Sequence, residues 1–448
     1  MLNLVLPMLL VPALVGTEPA IQAGTLLTYR GTIERRTDDA GGKSRKSFDL
    51  SIWVARSDGD GAEVSWMVDE RGRGEWPWFE RAGRLTLDAH LQSHQSGPVL
   101  LYDRGAGRSV VAVPLPFLKP DQELAADVTW KDQKLNYHVD KADKVADRDV
   151  WQITLRDEYG PKRLFYLDKN SPLVVSGAEK VMLGQGEEYQ LKWELLGSEQ
   201  LDQEEAPKLS AAFDAFIALR GKLNLPAQSQ EVEWKAEQIA LLTAQVPELQ
   251  KKLAGTALEK VAAAAKRDID LQADRHSAVS DHASKYMGHE VQKFSVSGLG
   301  ADTLSADDLK GNVTVLHFWE YRNEPLKEPY GQVGYLDFLY QRRKGEGLRV
   351  YGVAVDGRLA DEKTRSAAQQ SVKKFKEFMN LSYPVLLDGG PLVKQFGDPR
   401  PLGATLPLFV VVGPDGKIVH YHVGHHKVHQ EQGLSELDRV VGEALKKK

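Results

Sequence analysis

The stretch that decides the fold is VTVLHFWEYRNEPL, residues 313–326. Its first half, Val313–Trp319, is a nearly unbroken apolar run of strand length, which predicts a strand in the core of a sheet. Pro325 follows shortly after and begins an amphipathic segment that predicts a helix over residues 325–344. A buried strand followed directly by a helix is typical of an α/β domain.

Strands and helices continue to alternate on both sides of this stretch, from Met287 to the end of the chain. The other predicted elements are, in chain order, a strand pair with a turn capped by Ser305 (291–310), a strand (348–356), a helix (366–379), a strand (383–388), a hairpin across Pro414-Asp415-Gly416 (406–424) and a closing helix (434–447). The pattern therefore predicts an α/β domain over residues 287–448.

In its order of elements and its local sequence motifs, this part of the chain resembles the periplasmic thioredoxin-like reductases and the broader peroxiredoxin and thiol-specific antioxidant group. In that family the core strand ends in Phe-Trp, and two small residues and a second tryptophan then precede Cys-x-Pro-Cys. Here Asn323 falls at the position of the nucleophilic cysteine and Leu326 at that of the resolving cysteine, with Pro325 retained between them. Pro407 matches the family's cis-proline, so the resemblance implies the scaffold of a redox site without its thiols.

The chain contains zero cysteine, and this excludes the chemistry that the resemblance implies. Thiol–disulfide exchange needs a thiolate to attack and a second thiol to resolve the mixed disulfide, and peroxide reduction also needs a thiolate. Asn323 remains a good N-cap residue, so a structural role is favoured over a substrate contact. A thioredoxin-family oxidoreductase or antioxidant activity is an alternative by family resemblance only.

The first part of the chain alternates apolar and polar residues at a period of two, with turn residues between the runs. This pattern predicts an antiparallel β domain over residues 24–200, and the segment 150–175 resembles the curved half-barrels of lipoprotein-carrier proteins. The aromatic residues Trp76, Trp78 and Phe79 are candidates for lining an apolar ligand groove. Packing in the core is the favoured interpretation of this cluster.

The middle of the chain, residues 201–286, is rich in Ala, Leu, Glu, Lys and Gln with apolar residues three and four apart, which predicts a helical connector. Pro226, Pro247 and Gly255 are expected to divide it into shorter helices. His276 and His282 lack the spacing of metal ligands and are interpreted as surface residues.

The chain begins with an apolar run and small residues up to Ala23, which predicts an export signal over residues 1–23 and a periplasmic or extracellular location. This run is short for a membrane span, and no other stretch approaches the required length of about 20 apolar residues. A net charge of −5 and a pI of about 6.2 argue against nucleic acid as a partner.

Histidine is concentrated near the C-terminus, where five of the chain's 12 histidines lie close together. His420 and His422 are two residues apart on a predicted strand and therefore share a face, whereas His425, His426 and His429 follow in a predicted loop. A Cu²⁺ or Zn²⁺ site is one interpretation. A polar surface at the end of an edge strand is the favoured alternative, since the nearest carboxylate in sequence is Glu431.

The sequence thus predicts a multidomain α+β protein with an N-terminal antiparallel β domain, a helical connector and a C-terminal thioredoxin-like α/β domain. The leading functional hypothesis is a non-catalytic, exported binding or structural module with a protein or peptide partner. Metal binding through the histidine cluster is the alternative, and no other cofactor is expected.

Overall fold

The computed structural model describes residues 21–35, 45–71, 76–103, 108–132, 135–145, 147–184, 186–225, 233–320, 332–429 and 431–447. The chain forms two compact units, residues 1–270 and 271–448. Most of the predicted signal segment, residues 1–20, lies outside the described ranges. Ile21, on the N-terminal side of the predicted cleavage point, is buried among the core residues of the first unit.

The first unit is built around antiparallel strands. They are β1 (Thr25–Arg35), β2 (Arg45–Asp58), β3 (Gly61–Arg71), β4 (Ala82–Leu87), β5 (Val99–Asp103), β6 (Arg108–Ala112), β7 (Thr129–Asp132), β8 (Leu135–Val145), β9 (Arg148–Asp157), β10 (Gly160–Asp168), β11 (Val174–Leu183) and β12 (Glu187–Gln200). Within the described residues, ten of these strands form one sheet in the order β4-β3-β2-β1-β12-β11-β10-β9-β8-β7. The antiparallel β domain predicted from the period-two pattern is therefore present.

One face of this sheet carries the largest core of the unit, because alternate residues of each strand point to the same side. On β2, Phe48, Leu50 and Ile52 are buried in this way. The segment between β4 and β7 packs against the same core through residues that include Tyr102 and Phe117. Within this segment, β5 and β6 form a separate two-stranded hairpin.

The middle of the chain is helical, as predicted, but its helices divide between the two units. They are α1 (Glu205–Lys222), α2 (Ala236–Leu253) and α3 (Glu259–Ser284). α1 packs within the first unit, where Phe213 stacks on Trp53 of β2. The expectation that Pro247 ends a helix is wrong, because Pro247 lies inside α2. Gly255 does separate two helices, and Pro226 lies outside the described residues.

The second unit contains a mixed sheet with helices packed against it. Its elements are β13 (Ser295–Ser297), β14 (Thr303–Ser305), β15 (Val313–Trp319), α4 (Val333–Arg343), β16 (Leu348–Val355), α5 (Glu362–Phe378), β17 (Val385–Asp388), α6 (Pro391–Gln395), β18 (Leu408–Val412), β19 (Ile418–Val423) and α7 (Ser435–Leu445). Among the described residues, five strands pair in the order β17-β16-β15-β18-β19. β16 and β17 run parallel to β15, whereas β18 runs antiparallel to both β15 and β19.

Every residue of β15 is buried, as the apolar run predicts for a strand covered on both faces. α4, α5 and α7 supply the core on one face, and α6 contributes to the core on the other. The fold class is therefore multidomain α+β with a C-terminal α/β unit. Among the described residues, no helix combines the length and the apolar character needed to cross a bilayer.

Candidate functional site

The positions of the lost thiols, Asn323 and Leu326, fall with Pro325 in residues 321–331, outside the described ranges. The proposed capping role of Asn323 therefore stays a prediction. The surrounding parts of the site are described. Trp319 ends β15, is nearly fully buried and packs against Phe375 of α5 with ring centroids 5.1 Å apart.

On the other side of the site, the peptide bond before Pro407 is cis, as the family resemblance implies. The carbonyl of Pro407 accepts a hydrogen bond from the backbone N–H of Gly424 at 2.8 Å. This bond fixes the beginning of β18 to the loop that follows β19, where the C-terminal histidines lie.

An arginine connects the end of β15 to the loop before Pro407. The guanidinium of Arg400 pairs with the carboxylate of Asp398 at 2.7 Å and also with that of Glu320, the residue after Trp319. Burial acts to raise the pKa of Asp398, but hydrogen bonds from Arg400 outweigh it and hold that pKa below its usual value. In sequence, Glu320 comes three residues before Asn323, the position that corresponds to the family's nucleophilic cysteine.

The second candidate site is formed by histidines. β19 positions His420 and His422 on one face, opposite Val411 and Phe409 of β18. Their rings are nearly parallel, with centroids 6.1 Å apart. The shared face predicted from their spacing is therefore present, and both side chains are half-buried.

The loop after β19 brings His426 to the same place. Gly424 has a φ of +94°, a conformation that glycine adopts without strain and that turns the chain back toward the sheet. The side-chain amide of Gln332, just before α4, then holds the backbone of His426: Nε2 donates to its carbonyl at 2.6 Å, and Oε1 accepts from its N–H at 2.9 Å. His426 is 3 % exposed.

His420, His422 and His426 form a group that we name the histidine trio. Each offers a ring nitrogen, and these nitrogens all lie within 4.8 Å of one another. The rings of His422 and His426 stack at 3.9 Å, and those of His420 and His426 lie 5.8 Å apart. His425 and His429, the other predicted ligands, are exposed and lie outside this trio.

Burial lowers the pKa of all three imidazoles, and it lowers the pKa of His426 to about 2 with help from the neighbouring histidines. The rings are therefore neutral at pH 7. Nε2 of His420, Nε2 of His422 and both ring nitrogens of His426 have no hydrogen-bond partner within the described part of the chain.

Two residues near the trio were missed in the sequence. Glu436, in the first turn of α7, places a carboxylate oxygen 3.5 Å from Nδ1 of His426, whereas sequence proximity favoured Glu431. His317 of β15 is fully buried and stacks on Phe409 at 4.3 Å, and Phe409 in turn contacts His426. The one available signal was a histidine within an otherwise apolar core strand.

The aromatic candidates in the first unit, Trp76, Trp78 and Phe79, are all buried. Trp78 and Phe79 pack against Trp234, with ring centroids 5.8 and 5.0 Å apart. The indole N–H groups of Trp78 and Trp234 both donate to the carboxylate of Asp268. These contacts are those of a packed interior, and a ligand groove lined by this cluster stays a prediction.

The mixed sheet, its covering helices and the cis-proline loop define a thioredoxin-like domain. Residues 287–421 match the model of the AhpC/TSA family, so the C-terminal domain is a redoxin domain of that family. The resemblance inferred from residues 318–326 and Pro407 is thereby confirmed for this part of the chain. No curated protein sequence matches the chain.

Several solved structures resemble the C-terminal part of the chain. A Chlorobium tepidum protein assigned as the thiol:disulfide interchange protein DsbE is 20 % identical, with a TM-score of 0.28, covering 36 % of this chain and 97 % of its own. A secreted Mycobacterium tuberculosis disulfide oxidoreductase homologous to DsbE is 18 % identical, with a TM-score of 0.25 and coverage of 34 % and 95 %. StoA from Bacillus subtilis is 20 % identical, with a TM-score of 0.26 and coverage of 34 % and 96 %.

Proposed function

We propose that the protein is an exported, redox-inactive component of the cell envelope whose redoxin domain binds a protein or peptide. The observation that carries this proposal is a redoxin domain in a chain with zero cysteine. The family's reactions need a thiolate, and neither an asparagine amide nor a leucine side chain supplies one. The apolar segment over residues 1–23 supports the exported location.

The surface next to Pro407 offers a place for an extended segment to bind. Thr405 is exposed and Leu406 half-buried, and both precede the paired part of β18. Neither forms a backbone–backbone hydrogen bond with another described residue. Exposed backbone donors and acceptors beside a sheet are groups that an added strand can pair with.

The ion pairs of Arg400 support this surface. Arg400 is about one-third exposed and bridges Asp398 and Glu320, so it connects the segment before the cis-proline loop to the end of β15. A loop held by charge-assisted hydrogen bonds loses less conformational entropy when a partner binds. These ion pairs support the proposal of a pre-organised binding surface next to Pro407.

The redox part of the proposal is tested with purified protein in insulin-disulfide reduction and peroxide turnover assays. We expect rates equal to those of a heat-inactivated control. Turnover above that control would restore the oxidoreductase alternative and contradict the proposal.

The binding part is tested with a photo-crosslinking amino acid placed at Thr405 in the full chain, expressed in its native envelope. The control carries the same group at Gln369, which is exposed on α5 and distant in sequence from the cis-proline loop. We expect a discrete adduct at Thr405, absent at Gln369 and weakened by Arg400→Ala. Equal labelling at both positions, or none at either, would rule out a specific surface at Pro407.

A further inference from the structure

We propose that the histidine trio binds one divalent late-transition-metal ion, of the Zn²⁺ or Cu²⁺ class, independently of the peptide surface. His420, His422 and His426 are the inferred ligands. Glu436 and Gln332 are inferred positioning residues that orient His426. The family's thiol chemistry uses none of these side chains.

The spacing of the ring nitrogens fits one ion after small side-chain rotations. Zinc–nitrogen bonds of 2.0–2.1 Å in a tetrahedral site place two nitrogens about 3.3 Å apart. The trio's nitrogens lie within 4.8 Å of one another, so the widest gap closes by about 1.5 Å in such a site. The short strand β19 and the Gln332 clamp already hold the backbones of all three ligands in place.

Burial of the ring nitrogens gives a second, independent reason to infer a ligand. His426 is 3 % exposed, yet neither of its nitrogens has a hydrogen-bond partner among the described residues. A buried polar atom left unsatisfied costs about 1–3 kcal/mol. Purely structural histidines would instead hydrogen-bond to backbone or side-chain groups. A shared cation would satisfy one lone pair from each ring at once.

The donor set selects the class of ion. Neutral imidazole suits Zn²⁺ and Cu²⁺, whereas Mg²⁺ and Ca²⁺ prefer oxygen ligands. With zero cysteine in the chain, no thiolate ligand competes for the ion.

The surroundings of His426 match those of a metal-binding histidine. Such histidines usually donate their second ring N–H to a carboxylate or carbonyl, which fixes the tautomer and the ring orientation. Glu436 lies 3.5 Å from Nδ1 of His426 and is half exposed, so it can approach and accept this proton. His422 has the equivalent arrangement through its hydrogen bond with the backbone of His425.

The test uses the full chain purified without a histidine tag and stripped with a chelator. Calorimetric titration with Zn²⁺ and, separately, with Cu²⁺ is expected to show one equivalent bound at the trio. His422→Gln and His426→Gln should each weaken binding by more than 100-fold, and Glu436→Gln by about 10- to 100-fold. His429→Gln is the matched control, because His429 is exposed in the same loop, and it should bind like the wild type.

A second measurement does not depend on the folding of the variants. X-ray absorption of the zinc-loaded wild-type protein should show about three imidazole rings with nitrogens near 2.0–2.1 Å. The proposal would be overturned if folded wild-type protein bound neither Zn²⁺ nor Cu²⁺ stoichiometrically. It would also be overturned if a bound ion showed no imidazole scattering. Loss of crosslinking at Thr405 with intact metal binding would contradict only the proposed peptide-binding function.

Discussion

The ammonium of Lys46 and the carboxylate of Glu70 lie 2.8 Å apart in the interior of the first unit, with both side chains fully buried. The carboxylate also accepts hydrogen bonds from the backbone N–H groups of Trp76 and Leu101, and Lys46 donates to the carbonyl of Leu101. Burial raises the pKa of Glu70, and the charge of Lys46 opposes this rise. The pair thereby connects β2 and β3 to the β5–β6 hairpin.

Removing one member of this buried pair should lower the free energy of unfolding far more than removing one member of an exposed ion pair. Lys46→Met leaves Glu70 buried without its counter-charge, and we expect a loss of about 3–5 kcal/mol in the free energy of unfolding. The matched control is Lys251→Met, whose pair with Glu248 is mostly exposed and which should leave the free energy of unfolding nearly unchanged. Urea denaturation measures both, and equal small losses would show that the buried pair is not stabilising.

At the scale of elements, the large antiparallel sheet places aromatic rings over cross-strand glycines. Gly177 of β11 pairs with Trp193 of β12, and Gly83 of β4 pairs with Trp66 of β3. A Cβ atom at Gly177 would lie 2.4 Å from the indole of Trp193, and one at Gly83 would lie 2.6 Å from that of Trp66. The absence of a side chain is what lets each ring lie flat against the neighbouring strand.

Adding a methyl group at such a position should displace the ring. We expect Gly177→Ala to destabilise the first unit by about 1–3 kcal/mol, the range for overpacking a core. Gly197→Ala, in β12, is the control, because a Cβ there meets nothing within 4 Å, and its effect should stay within about 0.5 kcal/mol. If chemical denaturation gives the same midpoint for both variants, the ring does not depend on the glycine.

In the second unit, α4 and α7 are joined by the pair of Arg343 and Asp438 at 2.7 Å, and Arg342 also pairs with Asp438. Burial acts to raise the pKa of Asp438, but hydrogen bonds from both arginines outweigh it and lower that pKa. A carboxyl whose folded pKa is depressed stabilises above its unfolded pKa of about 3.9, and the stabilisation is lost as the pH falls through the folded value.

Asp438→Asn should therefore destabilise the second unit by about 1 kcal/mol at pH 7, and the difference from wild type should shrink as the pH falls below about 4. Glu443→Gln provides the control, because its pair with Arg439 is exposed on the same helix. Urea midpoints at several pH values measure the effect. A difference that is constant with pH would mean that the charge of Asp438 is not its cause.

At the scale of the whole molecule, the parts that sequence could predict are those set by local patterns. The apolar run at Val313–Trp319 predicted β15, and the two-residue spacing of His420 and His422 predicted their shared face. Convergence of His426 and Glu436 on that face could not be predicted, because it depends on a loop path and on helix packing. At Pro247 the local pattern predicted the wrong result. Proline usually ends a helix, but α2 continues through Pro247 because tertiary packing outweighs the local preference.

The two compact units lead to a prediction for the unfolding of the full chain. Each unit has its own hydrophobic core, and their boundary falls within α3, between residues 270 and 271. We expect calorimetry to resolve two transitions, because cores that are built separately need not unfold together. Lys46→Met should lower one transition by roughly 6–20 °C, and Asp438→Asn should lower the other by roughly 2–4 °C.

The double variant makes this prediction strict. Substitutions at distant sites without shared partners are additive, so Lys46→Met/Asp438→Asn should shift each transition by the amount seen in the corresponding single variant. If instead both substitutions moved one common transition, the two cores would unfold as one cooperative unit. Independent shifts of two separate transitions would therefore show that the two units unfold as separate domains.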